Sequence, residues 1–318
     1  MANKQTKITE MFNIQYPIIQ GGMAWVSDAH LAAAVSMAGG LGVIAAGNAP
    51  ADWLKEQIKT VREKTDKPFG VNVMLLSPFV EDVAKLVAEE KVDVIITGAG
   101  NPAKYMEMWQ SSGAKVVPVV ASNALAKMME KMGADALVAE GCEAGGHIGE
   151  LTTMVLVPDI INAVDIPVIA AGGIHDSRTA LAAFCLGADA IQVGTRFIMA
   201  TECTAHPNYK DKIKKAKDID SKVTGRVTGH PVRLIRNSLS RQMLSAEYEA
   251  NAVEVLEELG AGSLRAAVVE GDTKMGSFMA GQVACMLETE ESAKEIIEDI
   301  FSDAKISAVL SKLGELFK

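Results

Sequence analysis

The chain is short of the residues on which several function classes depend. It holds four cysteines in 318 residues, Cys142, Cys185, Cys203 and Cys285, and none stands in a CxxC or Cys/His spacing. That argues against a disulfide framework and a zinc-ligand set, and the four read as separate reduced thiols. Histidine is also scarce, at five, with no spacing that suggests a metal site, so no metal is expected. Lysine and arginine total 31 against 40 acidic residues, a net charge of −9, and no long basic run appears. A cationic face is what non-specific nucleic-acid binding needs, so no nucleic-acid partner is expected. No apolar run approaches the roughly 20 residues of a membrane span. The opening MANKQTKITEMFNIQYPIIQ lacks the apolar core and cleavage site of a secretory leader. A soluble, cytoplasmic protein with no membrane partner is expected.

What is present is a repeated phrase. Short Val/Ile-rich runs end in glycine or small polar residues, and a helical pattern follows each. The runs are YPIIQGG, LGVIAAGN, PFGVNVML, VDVIITGAG, KVVPVVAS, ADALVAEG, IPVIAAGGI and ADAIQVGTRF. Apolar runs without alternation are how parallel strands buried on both faces read. Segments such as PFVEDVAKLVAEEK between them place Phe79, Val83, Leu86 and Val87 on one helical face. Alternating strand and helix means βαβ units. Eight of them predict an α/β protein with a (β/α)8 TIM barrel over residues 1–201. The rival is an open doubly wound sheet, disfavoured because no GxGxxG follows the first strand. After strand eight the pattern changes, and no buried strand run is obvious. A smaller, mostly helical cap domain is expected over 202–273. Residues 274–318 should return, with Ile296, Ile297, Ile300, Ile306, Val309, Leu310 and Leu313 at helical spacing against the barrel wall.

In such barrels the chemistry sits at the carboxyl ends of the strands. One rim should therefore gather Gly21, Gly22, Met23, Asn48, Asn72, Thr97, Gly98, Gly100, residues 140–147, Gly172, Gly173, Gly194 and Thr195. The glycines after strands seven and eight let backbone N–H groups approach an anion, as a phosphate site requires. Asn48, Asn72 and Gln192 bring amides that suit a heterocycle with donors and acceptors, so a mononucleotide such as FMN is the expected ligand. His147, in EGCEAGGHIG, is the candidate proton handler or substrate-orienting group. Cys142 as a nucleophile activated by His147 is a weaker alternative, since no third orienting group is evident. Glu140 reads equally as a ligand contact or a loop tie, and Glu143 as solvent-facing. His30 reads as surface, His175 as a phosphate neighbour or a bystander, His206 and His230 as cap residues. MGSFMAGQ either packs on the barrel or presents N–H groups and Gln282 to the ligand.

These phrases resemble the FMN-dependent enoyl-acyl carrier protein reductase II enzymes (FabK type), within the wider nitronate monooxygenase-like group. The resemblance runs through YPIIQGGMAWV, GGLGVIAAGNAP, KPFGVNVMLLSPF, TGAGNPAKYM, AEGCEAGGHIGELTTM, PVIAAGGI, QVGTRF, AHPNYK and GSFMAGQ, nearly the whole chain. It implies reduction of the trans-2 double bond of an enoyl thioester on acyl carrier protein, with NADH or NADPH as co-substrate. It implies that His147 is catalytic and that Gly22, Met23, Asn48, Asn72, Gly172, Gly173, Gly194 and Thr195 contact FMN, with Gln192 and Gly276 beside them. It implies stimulation by a monovalent cation, whose ligands the sequence does not place, and, by analogy, a homodimer. VVAS at the end of strand five departs from the proline expected in many relatives. The acidic carrier would need a local basic patch, for which Lys210, Lys212, Lys214, Lys215 and Lys217 stand beside Arg226, Arg233 and Arg236. Three rival readings remain: a nitronate monooxygenase on the same barrel, a flavin-free phosphate-ligand isomerase or lyase, and a non-catalytic binding module.

Overall fold

In the computed structural model, which describes residues 5–316, the eight phrases form eight parallel strands. In order they are Ile18–Gln20, Gly42–Ala45, Phe69–Met74, Val94–Gly98, Lys115–Val120, Leu137–Glu140, Val168–Ala171 and Ala190–Val193. Consecutive strands are neighbours, the first and second joined through an isolated bridge between Ile19 and Leu41. The first strand also pairs with the eighth, Ile18 opposite Ile191 and Gln20 opposite Val193. The sheet is thus a (β/α)8 barrel, and the open doubly wound alternative is set aside.

Residues pointing into the barrel include Ile19, Val43, Val94, Ile96, Val117, Val138 and Ile169, all buried in one cluster with Ile8 and Phe12. Those last two belong to the N-terminal helix Lys7–Phe12, capped by Thr6. The barrel is therefore filled rather than hollow. Outward residues such as Ile18, Val71, Ile95, Leu137 and Ile191 pack under the surrounding helices. Burying each large aliphatic side chain contributes about 1.5–3 kcal/mol. The amphipathic pattern of PFVEDVAKLVAEEK is realised in helix Val80–Glu89, which buries Val83, Leu86 and Val87; Phe79 stands at its start and is exposed.

After the eighth strand comes a single short turn, Thr195–Ile198, and then the cap. It has helices Pro207–Lys214, Ser238–Ala246 and Ala252–Gly260. It also has an antiparallel hairpin that the sequence reading missed, Ser221–Thr224 with Val232–Ile235. Its strands are only four residues each, the first mostly half-buried and the second carrying a buried arginine, so no long apolar run announces them. The chain then returns as helix Ala293–Ile300, which packs between the first and seventh barrel helices, Ala29–Met37 and Ser177–Cys185. Ile296, Ile297 and Ile300 are fully buried there. The final helix, Asp303–Leu316, lies on Ser177–Cys185 and leaves Leu310 and Leu313 exposed. Among the described residues, no helix is long and apolar enough to cross a membrane.

The two halves of the tail should respond differently to truncation. Ile297→Ala is expected to cost about 2–5 kcal/mol, and Leu310→Ala no more than about 0.5 kcal/mol. The urea-unfolding midpoints of the two variants check this. Equal shifts would mean that the last helix is part of the same core.

Candidate active site

The rim brings together much of what the sequence reading placed there. Gly22 follows strand one and lies so close to Asn72, in the second half of strand three, that a Cβ on Gly22 would stand 2.4 Å from Asn72 Cβ. A Cβ on Gly21 would lie 3.6 Å from both Gln192 Cγ and Gly194 Cα, and one on Gly194 would lie 3.6 Å from Met23 Sδ. Gly22, Met23, Asn72, Gln192 and Gly194 therefore form one cluster across strands one, three and eight. Asn48 sits on the exposed loop after strand two. Gly172 and Gly173, after strand seven, have φ of +93° and +73°, a region that side-chain-bearing residues avoid. A Cβ on Gly172 would also stand 2.7 Å from the Gly141 carbonyl oxygen, so strand ends six and seven meet through that glycine.

Two observations bear on FMN. The backbone N–H groups of Gly172, Gly173, Gly194 and Thr195 have no hydrogen-bond acceptor among the described residues. Gln192 Oε1 is buried and also has no partner. Buried polar groups without partners are uncommon and ask for a ligand or water. Four unclaimed N–H groups suit a phosphate, and an unclaimed amide oxygen suits a ring N–H of the heterocycle, so these residues fit FMN. Glu140, at the end of strand six, has no counter-ion among the described residues, and desolvation pushes its carboxyl up to about 7. Near neutral pH it can offer either a proton or a lone pair to whatever fills the mouth.

The loop after strand six is tied down at nearly every residue. The Gly141 carbonyl accepts from Ala144 N–H at 3.1 Å, and the Glu143 carbonyl from Gln282 N–H at 2.9 Å. The Cys142 carbonyl accepts from Arg233 Nε at 3.0 Å and from a second Arg233 nitrogen at 2.8 Å. Glu143 is not the solvent-facing residue expected. Its carboxylate accepts from Thr153 N–H at 2.9 Å and Thr153 Oγ1 at 3.0 Å, at the start of helix Thr153–Ile161. An acceptor there satisfies an otherwise orphaned helix N–H.

His147 lies in a two-residue strand, Gly146–His147, that pairs antiparallel with the cap strand, His147 opposite Val232. Its side chain is exposed at the surface yet crowded by protein. That desolvation, and the nearby His230, lower its pKa from the ordinary histidine value. Burial and the Glu143 charge raise the Cys142 thiol, the opposite of what an activated nucleophile requires. His206 instead caps a helix, Nδ1 accepting from Asn208 N–H at 3.1 Å. His175 is buried, with Nδ1 unpartnered.

The return segment closes over this loop. Gly281 N–H donates to Thr195 Oγ1 at 2.9 Å, and Gln282 follows with its side chain exposed. Gly276 sits deeper in the cap: its N–H bonds the Asp272 carbonyl at 3.0 Å, and its carbonyl accepts from Asn237 Nδ2 at 2.8 Å. Both of its backbone groups thus have protein partners. The lysine patch is largely neutralised. Lys210 and Lys214 both pair with Glu290, at 3.0 and 2.6 Å. Arg226 pairs with Glu150 and Arg236 with Asp220, while Arg233 is buried. Among the described residues no group of three or more His, Cys, Asp or Glu could hold a metal ion. A separate cleft of about 530 Å³ is lined by Gln15, Gly39, Lys67 and Pro68, which precede strands one to three. It therefore lies at the opposite end from the mouth, where barrels carry stability rather than chemistry.

Three residues of this region went unnoticed in the sequence as contributors to its geometry. Arg233 is one. Gln20 is another: fully buried in strand one, it donates to Ser27 Oγ at 2.7 Å and accepts from Val43 N–H at 3.1 Å. Its signal was a polar residue within the apolar phrase YPIIQGG. The third is Trp25, at φ 65°, a genuine outlier for so large a side chain, with Arg265 stacked over its ring. Nothing in the sequence around it foretells that conformation.

The fold is a filled eight-stranded barrel whose carboxyl rim carries glycines with unclaimed N–H groups and a histidine paired to the cap. The nitronate monooxygenase family profile matches residues 5–89 and 77–303, and the chain belongs to that family. The family is one of flavin-dependent oxidoreductases, and this chain is an oxidoreductase of that type. The structure of FabK from Thermotoga maritima is similar at 50% identity and a TM-score of 0.94, over 98% of this chain and 99% of that one. A probable nitronate monooxygenase from Staphylococcus aureus (strain JH9) is 33% identical over 95% of this chain and 98% of its own length. A (3aS,4S,5R,7aS)-5-hydroxy-7a-methyl-1-oxo-octahydro-1H-indene-4-carboxyl-CoA dehydrogenase from Mycobacterium tuberculosis is 32% identical, covering 94% of this chain and 96% of its own.

Two measurements test the site. Gln192→Leu removes the unpaired oxygen. It should weaken FMN binding by about 1–3 kcal/mol while leaving the FMN-free protein at least as stable, because an unsatisfied buried acceptor is gone. Flavin titration and urea unfolding of the FMN-free protein read the two effects. For His147, a lowered folded pKa means that its neutral form is favoured. Its contribution to stability is present above the ordinary value and lost as pH falls through the folded one. The imidazole resonance should therefore titrate below the ordinary range of about 6.5, and His230→Asn should move it upward.

Proposed function

We propose that the protein is an enoyl-acyl carrier protein reductase that uses FMN and NADH or NADPH. The observation that carries this reading is the 50% identity to FabK, which spans barrel and cap alike at a TM-score of 0.94. The relatives with nitronate or nitroalkane names stand at 33% for the S. aureus protein and at 28% for a nitroalkane oxidase from Streptomyces ansochromogenes.

Bound FMN would carry two electrons between the nicotinamide and the enoyl chain, a task the protein serves by binding and orientation. Gly172, Gly173, Gly194 and Thr195 would hold its phosphate, and Gln192, Asn72 and the Gly22–Met23 turn would line its ring system. Overall, NAD(P)H gives up a hydride that reaches the β-carbon, a proton is added at the α-carbon, and NAD(P)⁺ and the saturated thioester leave. Negative charge develops on the thioester oxygen in between. His147, on the rim and predominantly neutral near pH 7, would place a ring N–H at that oxygen. Glu140, poised near neutrality, is the second rim group able to exchange a proton.

The acidic carrier would approach the cap near Lys212, which feels the charges of Arg241 and Arg236, with Asp220 already paired to Arg236. Lys214, engaged by Glu290, is a poor candidate. A second reading, nitronate monooxygenase, is favoured by the name of the family itself.

Anaerobic mixing with a crotonyl thioester and NADH or NADPH separates the two. A reductase consumes both substrates without oxygen, whereas a nitronate monooxygenase turns over only with a nitronate and oxygen. His147→Ala should lower enoyl turnover by on the order of 10²-fold, the scale of a lost transition-state donor, with flavin content unchanged. Lys212→Glu with Arg241→Glu should raise KM for the carrier-bound substrate and not for a short free thioester.

A further inference from the structure

Arg233 is buried, 6% exposed, in a protein of net charge −9, yet every hydrogen bond its side chain makes is to a neutral acceptor. Two go to the Cys142 carbonyl and one, at 2.8 Å, to Ser221 Oγ. Arg196 is the contrast. Equally buried, it pairs with Glu291 at 2.9 Å and Asp299 at 2.8 Å. The charge of Glu143 reaches Arg233, but its carboxylate oxygens are bonded to Thr153. Burying a cation without an ion pair is unfavourable for stability. A residue kept there at that cost is one whose geometry matters.

That geometry is specific. The side chain of Arg233 grips the Cys142 carbonyl, while its backbone lies opposite Gly146 in the cap strand pairing. One residue thus holds both ends of the loop that leads into His147. The loop contains Gly145 and Gly146, the latter at φ +76°, and glycines leave a segment free to wander unless something fixes it. Ile148 N–H to the Pro231 carbonyl, at 3.1 Å, extends the same pairing beyond the histidine.

We infer that Arg233 is a positioning residue that acts through His147: it sets the placement of that histidine by clamping residues 142–146 to the cap strand. The inference rests on the enoyl-reductase reading for its kinetic consequence. Its structural content does not, because the placement of an imidazole can be read without turnover.

The test is a double-mutant cycle of Arg233→Ala and His147→Ala, with Arg233→Lys as the conservative variant. A displaced catalytic group loses on the order of 10²-fold in rate. Arg233→Ala should therefore lower kcat for enoyl reduction by that order, with KM for the nicotinamide and flavin content unchanged. Arg233→Lys, which keeps one donor for Cys142, should recover part of the loss. In the His147→Ala background, Arg233→Ala should cost nothing further, since both act through one group. Equal costs in the two backgrounds, or an unchanged kcat, would overturn the inference. Should Arg233→Ala fail to fold, the same cycle is run on Arg233→Lys. The second readout is the His147 imidazole titration. Both Arg233 variants should shift its midpoint, and an unmoved midpoint overturns the inference. If the unmodified protein shows no enoyl reduction, it is the activity reading that fails, and the titration still decides the role of Arg233; if His147→Ala leaves enoyl reduction intact, the kinetic role of the clamp is overturned.

Discussion

A parallel strand leaves a row of N–H and C=O groups unpaired unless a neighbour lies on each side. Here the first strand finds its second neighbour in the eighth, Ile18 against Ile191 and Gln20 against Val193. Closure removes both edges of the sheet, and the helical crossovers between successive strands turn all eight the same way. Every strand therefore ends on one rim. The interior, filled by Ile19, Val43, Ile96, Val117, Val138 and Ile169 with Phe12 in the same cluster, has no space left for polar ligands. Gln20, alone among the strand-one residues in having a polar side chain, spends its amide on Ser27 and Val43 and so serves the barrel itself. Gln192, the corresponding amide on strand eight, leaves its oxygen unpaired. The two glutamines differ in that one has its amide fully used within the barrel and the other keeps an oxygen that the proposed flavin would engage.

The cap is joined to that rim by a strand pairing rather than by side-chain contacts alone. Val232 opposite His147 and Arg233 opposite Gly146 make the loop after strand six the third strand of the cap's own sheet. Movement of the cap would therefore carry the histidine with it. The return segment adds a second tie, Gln282 N–H to the Glu143 carbonyl and Gly281 N–H to Thr195 Oγ1, which links the same loop to the turn after strand eight. The group proposed to meet the substrate and the backbone proposed to hold the phosphate thus belong to one continuous hydrogen-bonded unit.

Relatives of this chain carry different names on the same architecture: a probable nitronate monooxygenase, an octahydro-1H-indene-4-carboxyl-CoA dehydrogenase and FabK. That spread is what a flavin barrel allows, since the electron-carrying chemistry is the cofactor's and the rim only selects what is presented to it. Specificity must then come from the parts outside the barrel repeat, namely the cap and the loop that carries His147. The burial of Arg233 and the exposed cations around Lys212 both lie in that part of the chain.

Much of the architecture was readable in order along the chain. Apolar runs without alternation, such as VDVIITGAG and IPVIAAGGI, read as strands covered on both faces because they are short, rich in Val and Ile and bounded by glycine, and their glycine ends point to the rim because every parallel strand ends there. That logic alone brought Gly22, Asn72, Gln192 and Gly194 to one end of the molecule. The hairpin Ser221–Thr224 with Val232–Ile235 was not readable, because short strands are stabilised by their partners, and the partner here, Gly146–His147, is far away in sequence. Glu143 looked solvent-facing for the same reason: nothing nearby in sequence reveals that Thr153 N–H needs an acceptor and lies within reach. The lysine cluster looked free until folding brought Glu290 to Lys210 and Lys214. Periodicity, being local, determined the barrel and its rim; which charges are cancelled, which amide is left unpaired and how His147 is held were decided by long-range contacts that exist only once the chain has closed.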